Sequence, residues 1–423
     1  MSALPLELLP DNAHVRPDGG LDIAGVDVVE LAQRFGTPLF VYDEDHIRAR
    51  CREALQAFPD GAAYASKAFL CKAIARLVHE EGMHIDVASG GELFSARAAG
   101  VPADRLVLHG NNKSLDELRY AMREQVHRII VDSFDEIERI EALVAEGLPV
   151  PKVLPRITPG VHANTHEFIA TGQDDSKFGF GVRVGHAASA IERARSSAAL
   201  ELVGLHAHVG SQVFEVSSFE KVVEVLAATF NPLGLEELCI GGGLGVAYVV
   251  GESSCGLVEW GKAVRSACER AGVKARITAE PGRSIIASAA LTLYTVGTIK
   301  DIPGVRTYVS VDGGMSDNPR PVLYGSGYET FLPRATNAAR PKTIRLVGKH
   351  CESGDLLVRE GLVPEDIAIG DIISTPVTGA YGYSLGSNYN KVPCPAVVFV
   401  SKGEAREVIR RETWEDLTRL DLD

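Results

Sequence analysis

No stretch of the chain approaches the roughly 20 consecutive apolar residues that a membrane-spanning helix requires. The first residues, Met1-Ser2-Ala3-Leu4-Pro5, lack the basic patch and apolar core of a secretory signal. Cysteine is sparse and odd in number: Cys51, Cys71, Cys239, Cys255, Cys268, Cys351 and Cys394, with no C-x-x-C spacing. That argues against a disulfide framework or a zinc ribbon and points to a reducing cytoplasm. Positive charge is also in deficit, with 43 Lys and Arg against 56 Asp and Glu and a formal net charge of −13. A nucleic-acid partner needs clustered Lys and Arg, so none is expected, and no membrane partner either. Local basic pockets for small anions remain open.

What is present describes a large globular protein. Of the 423 residues, 45% are hydrophobic and 23% charged, enough to bury a sizeable core. From Gly36 onward, short apolar runs alternate with helical spacing, the pattern of a parallel sheet. Strands are expected at residues 62–65, 84–88, 105–109, 128–131, 152–157, 202–208, 237–240 and 276–280. Eight strands with mostly regular spacing predict a (β/α)8 TIM-like barrel over residues 36–284. A doubly wound open sheet is the second choice. The long excursion between the fifth and sixth strands holds Thr165-His166-Glu167-Phe168 and Ser176-Lys177-Phe178-Gly179 at the functional end. After Gly282 the texture changes to strands joined by Gly- and Pro-rich turns, at 291–299, 307–311, 343–346, 372–375 and 396–400. These predict a mostly β C-terminal domain, residues 285–423, completed by the N-terminal segment 1–35 through the apolar run at 21–29.

Residues suited to one anionic cofactor gather after several barrel strands. Lys67 follows the first, at the face where such barrels build active sites. A lysine there either ends a strand in solvent or attacks a carbonyl to form a Schiff base. After the sixth strand come His206 and His208, then Gly210 and Ser211. The histidines suit either a satisfied core or stacking on a flat ring, and the absence of acidic or thiolate partners argues against metal. After the seventh comes Gly241-Gly242-Gly243-Leu244-Gly245, either a tight turn or a phosphate cradle. Val246 stands where a dinucleotide fingerprint needs glycine, so NAD is disfavoured. After the eighth, Glu280-Pro281-Gly282-Arg283 is either a surface pair or a pyridine-nitrogen partner followed by an anion-gripping arginine. In the β domain, Cys351 lies beside Glu352 and Asp355. Neighbouring negative charge favours its neutral thiol and thus proton donation over nucleophilic attack; an inert buried cysteine is the other reading. Arg320, Tyr324 and the Gly379-Ala380-Tyr381-Gly382-Tyr383 loop complete the set.

Taken in order, Tyr64-Ala65-Ser66-Lys67-Ala68, His206-Ala207-His208-Val209-Gly210-Ser211-Gln212, Gly241–Gly245, Glu280–Arg283 and Cys351–Asp355 resemble the fold-type III pyridoxal phosphate (PLP)-dependent decarboxylases. Within them the likeness leans to the bacterial branch that converts meso-diaminopimelate to L-lysine. The resemblance runs from about Gly36 to Arg410-Arg411-Glu412-Thr413. It implies that Lys67 holds the cofactor as a Schiff base and that His208 stacks on its ring. Ser211, Gly243, Glu280, Pro281, Gly282 and Arg283 become cofactor contacts, with Glu280 on the pyridine nitrogen. Cys351 becomes the proton donor and Glu352 the partner of the substrate's distal ammonium. Arg283, Arg320 and Tyr324 become substrate-carboxylate contacts, and Tyr381 closes over cofactor and substrate. A homodimer with shared active sites follows. Phe69 departs from the family, where many members carry Asn. Racemases of this fold place arginine, not glutamate, at the pyridine nitrogen, so Glu280 disfavours that activity. Decarboxylation of another diamino acid or of a carrier-bound aminoacyl group stays open; a non-enzymatic PLP-binding regulator is the third reading.

Overall fold

The computed structural model describes residues 3–160 and 175–422. Two compact units emerge: residues 50–246 with 254–285, and residues 1–49 with 247–253 and 286–423.

The first unit is a barrel of eight parallel strands in chain order: Ala63–Ala65, His84–Val87, Leu106–Leu108, Arg128–Val131, Lys152–Thr158, Gly204–Ala207, Glu237–Cys239 and Arg276–Thr278. The last strand meets the first through the parallel bridge Ala62–Ala279 and an Ala63 N–H to Ala279 C=O bond of 2.9 Å, which closes the sheet. Val107, Ile130, Leu154, Val203 and Cys239 form one buried apolar cluster in this unit. Three of the outer helices start alike. Ser89, Ser114 and Ser133 each accept the N–H of a glutamate three residues on, Glu92, Glu117 and Glu136. These serines satisfy N–H groups that a helix start leaves unpaired and fix where each strand-to-helix turn ends.

The second unit is built on a sheet in the order Leu356–Val363, Lys342–Val347, Arg306–Val311, Ala290–Ile302, Leu39–Asp43, Ala396–Ser401, Glu404–Ile409, with Ile372–Pro376 pairing the long Ala290–Ile302 strand. Leu39–Asp43 is buried along its whole length and lies between two other strands, antiparallel to one and parallel to the other. The sequence reading began the barrel at residue 36 and so included this stretch. An apolar run followed by the helix Glu44–Ala57 has the same texture as a barrel repeat, and only the pairing separates them. The run at 21–29 makes a small sheet of its own, Ala13–Val15, Leu21–Ile23 and Val26–Asp27, and then enters the helix Val28–Phe35, capped by the Asp27 carboxylate.

Candidate active site

In the barrel unit the site forms where the sheet closes. The first strand ends in a single tight turn, Ser66–Ala68, which leaves Lys67 exposed between two buried neighbours. Ala65 N–H donates to the Pro281 carbonyl at 3.2 Å, bringing the Glu280–Arg283 loop alongside. Gly282 permits this approach, since a Cβ there would stand 2.9 Å from Ala65 Cβ. Phe69, the residue that departs from the family, is fully buried, and its carbonyl accepts the Tyr64 hydroxyl at 2.8 Å.

Beside this loop the glycine turns present a concave backbone. Gly241 and Gly243 take φ of 65° and 113°, and Gly210 takes 142°, values that side chains rarely adopt. A Cβ on Gly243 would fall 2.1 Å from the Gly210 carbonyl. Arg283 donates from Nη2 to Ser211 Oγ at 2.8 Å, so a hydroxyl and a guanidinium converge near the glycine turns. Such a set, rich in N–H and O–H donors, fits a phosphate. His208 accepts the Gly242 N–H at Nδ1, 3.1 Å away. Its ring is only partly exposed, and burial together with the positive charges of Lys67 and Arg156 holds its pKa well below the usual value, so the imidazole is neutral at pH 7. A neutral flat ring suits stacking on a heteroaromatic group.

Glu280 is 7% exposed, and both its oxygens are engaged. His109 Nε2 lies 2.9 Å from Oε1 and His206 Nε2 lies 2.9 Å from Oε2. The trio converges, and each gap to the carboxylate has the length of a hydrogen bond. Burial alone would raise the Glu280 pKa; the two imidazoles outweigh it and hold the carboxyl well below its usual range. Asp86 Oδ1 lies 3.7 Å from the same His109 nitrogen, and burial pushes its pKa up to about 6 against the pull of His109. The strand ends at Ala207, so only His206 reaches Glu280 while His208 bonds to the glycine turn. His109, Asp86 and the buried Arg156 were not singled out from sequence. Their signal was present: a charged or imidazole side chain inside or ending an otherwise apolar strand. Thr165–Phe168 lie outside the described residues, and Lys177 sits over the Phe178 ring at 5.0 Å.

The remaining predicted residues belong to the β unit. Arg320 is buried, donates to the Tyr328 hydroxyl and stacks on Tyr248 at 4.1 Å, an aromatic support that the sequence did not reveal. Tyr324 ends the short helix Arg320–Tyr324, half-buried. Cys351 and Glu352 are exposed on a loop pinned from beneath by Asp355, whose carboxylate accepts the Met315 N–H at 2.7 Å and the His350 N–H at 2.8 Å. Cys351 N–H donates to Asn390 Oδ1 at 3.0 Å. Tyr381 holds φ at 59°, a strained value for a non-glycine residue of the sort found at functional loops.

A family model described as "Pyridoxal-dependent decarboxylase, pyridoxal binding domain" matches residues 44–287. The chain is 47% identical over 434 aligned residues to the diaminopimelate decarboxylase of Mycobacterium tuberculosis, covering 98% of this chain and 97% of the relative. To that of Bacillus subtilis it is 46% identical, covering 96% and 95%. Among solved structures, the diaminopimelate decarboxylase of M. jannaschi superposes with a TM-score of 0.89 at 31% identity over 98% of both chains. With glutamate and two histidines at one end of the barrel, and with likeness spanning nearly its whole length, the chain belongs to the PLP-dependent decarboxylases, in their diaminopimelate decarboxylase branch.

Proposed function

We propose that this protein decarboxylates meso-2,6-diaminopimelate to L-lysine and carbon dioxide, the last step of lysine biosynthesis. The observation that carries the reading is identity of 44–47% over nearly the full length to curated diaminopimelate decarboxylases, joined to a barrel mouth that fits PLP. When bound, PLP supplies an electron sink for the pair left on Cα as carbon dioxide departs. Lys67 provides the amine that holds the cofactor. Gly243, Pro281 and Gly282 shape the backbone around it, while Ser211 and Arg283 grip its phosphate. His208 covers the ring face, and Glu280 keeps the ring nitrogen protonated.

The β unit supplies the residues that choose and finish the reaction. Arg320 and Tyr324, with Arg283, take the substrate carboxylates; Glu352 takes the distal ammonium; Tyr381 shields the reacting carbon from water. The Cys351 thiol delivers a proton to Cα. Its exposure, and that of Glu352, fits a homodimer in which this loop completes the site of a second copy. A cytoplasmic location agrees with seven cysteines outside any disulfide. Among the described residues no helix is long and apolar enough to cross a membrane.

The test is a substrate panel. Carbon dioxide release by the PLP-loaded protein should be fastest from meso-diaminopimelate; comparable or faster release from ornithine, arginine or a glutamyl conjugate would move the assignment to that substrate.

A further inference from the structure

Glu280 is a buried carboxylate, and such a group ordinarily takes up a proton unless donors surround it. Here the surroundings are unusually complete. His109 and His206 approach its two oxygens from different strands, each at 2.9 Å, with their rings 5.1 Å apart and crossed at 71°. His206 is 1% exposed and His109 7%, so neither imidazole has water to replace the carboxylate. Asp86 Oδ1 lies 3.7 Å from the same His109 Nε2. The other titratable groups whose charge reaches Glu280, its two histidines or Asp86 are Lys67, Arg156, Glu92, His208 and Cys239. Arg156 and Lys67 are the cations among them, and neither bonds to Glu280 in the structure.

We propose that His109 and His206 are positioning residues that clamp the Glu280 carboxylate from both oxygens, so that it stays ionised and correctly aimed to keep a proton on the cofactor's ring nitrogen. The inference rests on the reading of Glu280 as the ring-nitrogen partner and adds to it the two residues that make that partnership work in a dry site. A lone buried glutamate would share one proton with the ring. The clamp supplies two N–H donors to the carboxylate, leaving second lone pairs on its oxygens for the ring N–H. The Asp86 carboxylate adds a second negative charge beside His109 Nε2. Burial alone would lower the His109 pKa, and the carboxylates of Asp86 and Glu280 reverse that. His206 is held neutral, chiefly by burial, and so donates from Nε2 as one fixed tautomer.

The experiment follows the visible absorbance of the PLP-loaded protein as pH is varied, together with PLP affinity of the cofactor-stripped protein. His206→Leu and His109→Leu remove a donor. His206→Gln and His109→Gln keep an N–H at similar reach and guard against a variant that merely fails to fold. Glu280→Gln is the reference. The Leu variants should displace the pH midpoint of the visible band by about one to two pH units, the worth of a hydrogen bond to a charged group. They should move it in the same direction as Glu280→Gln, and the Gln variants should return most of the shift. If Glu280→Gln shifts the band while all four histidine variants titrate like the wild type, the clamp is wrong and the reading of Glu280 stands. If Glu280→Gln itself leaves the titration unchanged, the reading of Glu280 falls and the clamp with it. A lower melting temperature in the Leu variants with an unmoved midpoint identifies a purely structural role and overturns the proposal.

Discussion

At the scale of single residues, the proposed chemistry divides between Lys67, which would hold the cofactor, and the Cys351 thiol, which would return a proton. Lys67→Ala should lose both the visible band of the bound cofactor and turnover, since no other side chain is proposed to carry the cofactor; retained turnover would remove Lys67 from the scheme. Cys351→Ala should bind PLP as the wild type does but turn over about 10²–10⁴-fold more slowly, the usual worth of a positioned general acid. An unchanged kcat would dismiss the cysteine. Asp355 acts one step back. Removing its carboxylate strands the Met315 and His350 N–H groups that hold the Cys351 loop. Asp355→Ala should therefore cost about 1–3 kcal/mol for each N–H left buried and unpaired. It should also lower kcat at unchanged PLP affinity, read by thermal melting, steady-state kinetics and cofactor titration. Lys67, Glu280 and Cys351 stood out as candidates in the sequence because each sits in a motif with its neighbours. His109 and Asp86 were not, because a single polar residue ending an apolar strand looks the same whether it serves a site or a solvated rim. Only barrel closure brings His109, from the third strand's end, to Glu280 at the eighth's.

At the scale of elements, the barrel strands were readable to within one or two residues because each apolar run is bounded by loops and followed by a 3.6-residue period. Leu39–Asp43 was misplaced because periodicity is silent about which strand pairs with which. Leu356–Val363 and Glu404–Ile409 passed unnoticed because charges interrupt both: Arg359 and Glu360 in one, Arg406 and Glu407 in the other. The glycine turn after the seventh barrel strand yields a direct prediction. Gly243→Ala places a methyl against the Gly210 carbonyl at positive φ and should cost about 1–3 kcal/mol of strain. It should weaken PLP binding more than it lowers the melting temperature, which equilibrium dialysis against PLP would show. The strands' opposite ends hold a different device. His84 and His127 lie 4.5 Å apart beside a cavity of about 80 Å³ that Arg128, Arg276 and Glu237 help to line. Burial, reinforced by neighbouring arginines, lowers their pKa values to about 4 and about 3. In the unfolded chain both titrate near 6.5, so as pH falls below that value the unfolded state takes up protons that the folded state refuses. Stability is then fully present above about pH 6.5 and is lost progressively down to about pH 4 for His84 and about pH 3 for His127. By pH 5 the loss should reach about 2 kcal/mol per histidine, at 1.4 kcal/mol per pH unit. Urea unfolding at pH 7 and pH 5 measures it, and His84→Gln should flatten the slope; an unaltered slope would contradict this account.

At the scale of the whole molecule, the proposal assigns complementary halves of one reaction to two units of different architecture. The proposed cofactor residues fall mainly on the barrel, and most residues proposed to sort substrates and return the proton fall on the β unit. Chain order alone conveyed this division, since the motifs for PLP precede residue 284 and the thiol motif follows it. If a second copy completes each site, mixing Lys67→Ala with Cys351→Ala chains should restore up to ~25% of wild-type activity. Half the dimers would then be hybrids, each with one intact site. No recovery after subunit exchange would place Cys351 in its own chain's site.

The central claim is tested most directly by product stoichiometry. Meso-diaminopimelate supplied to the PLP-loaded protein should yield carbon dioxide and L-lysine in equal amounts, and neither without PLP. Carbon dioxide without L-lysine, or no release from this substrate under conditions where another amino acid is decarboxylated, would contradict the account.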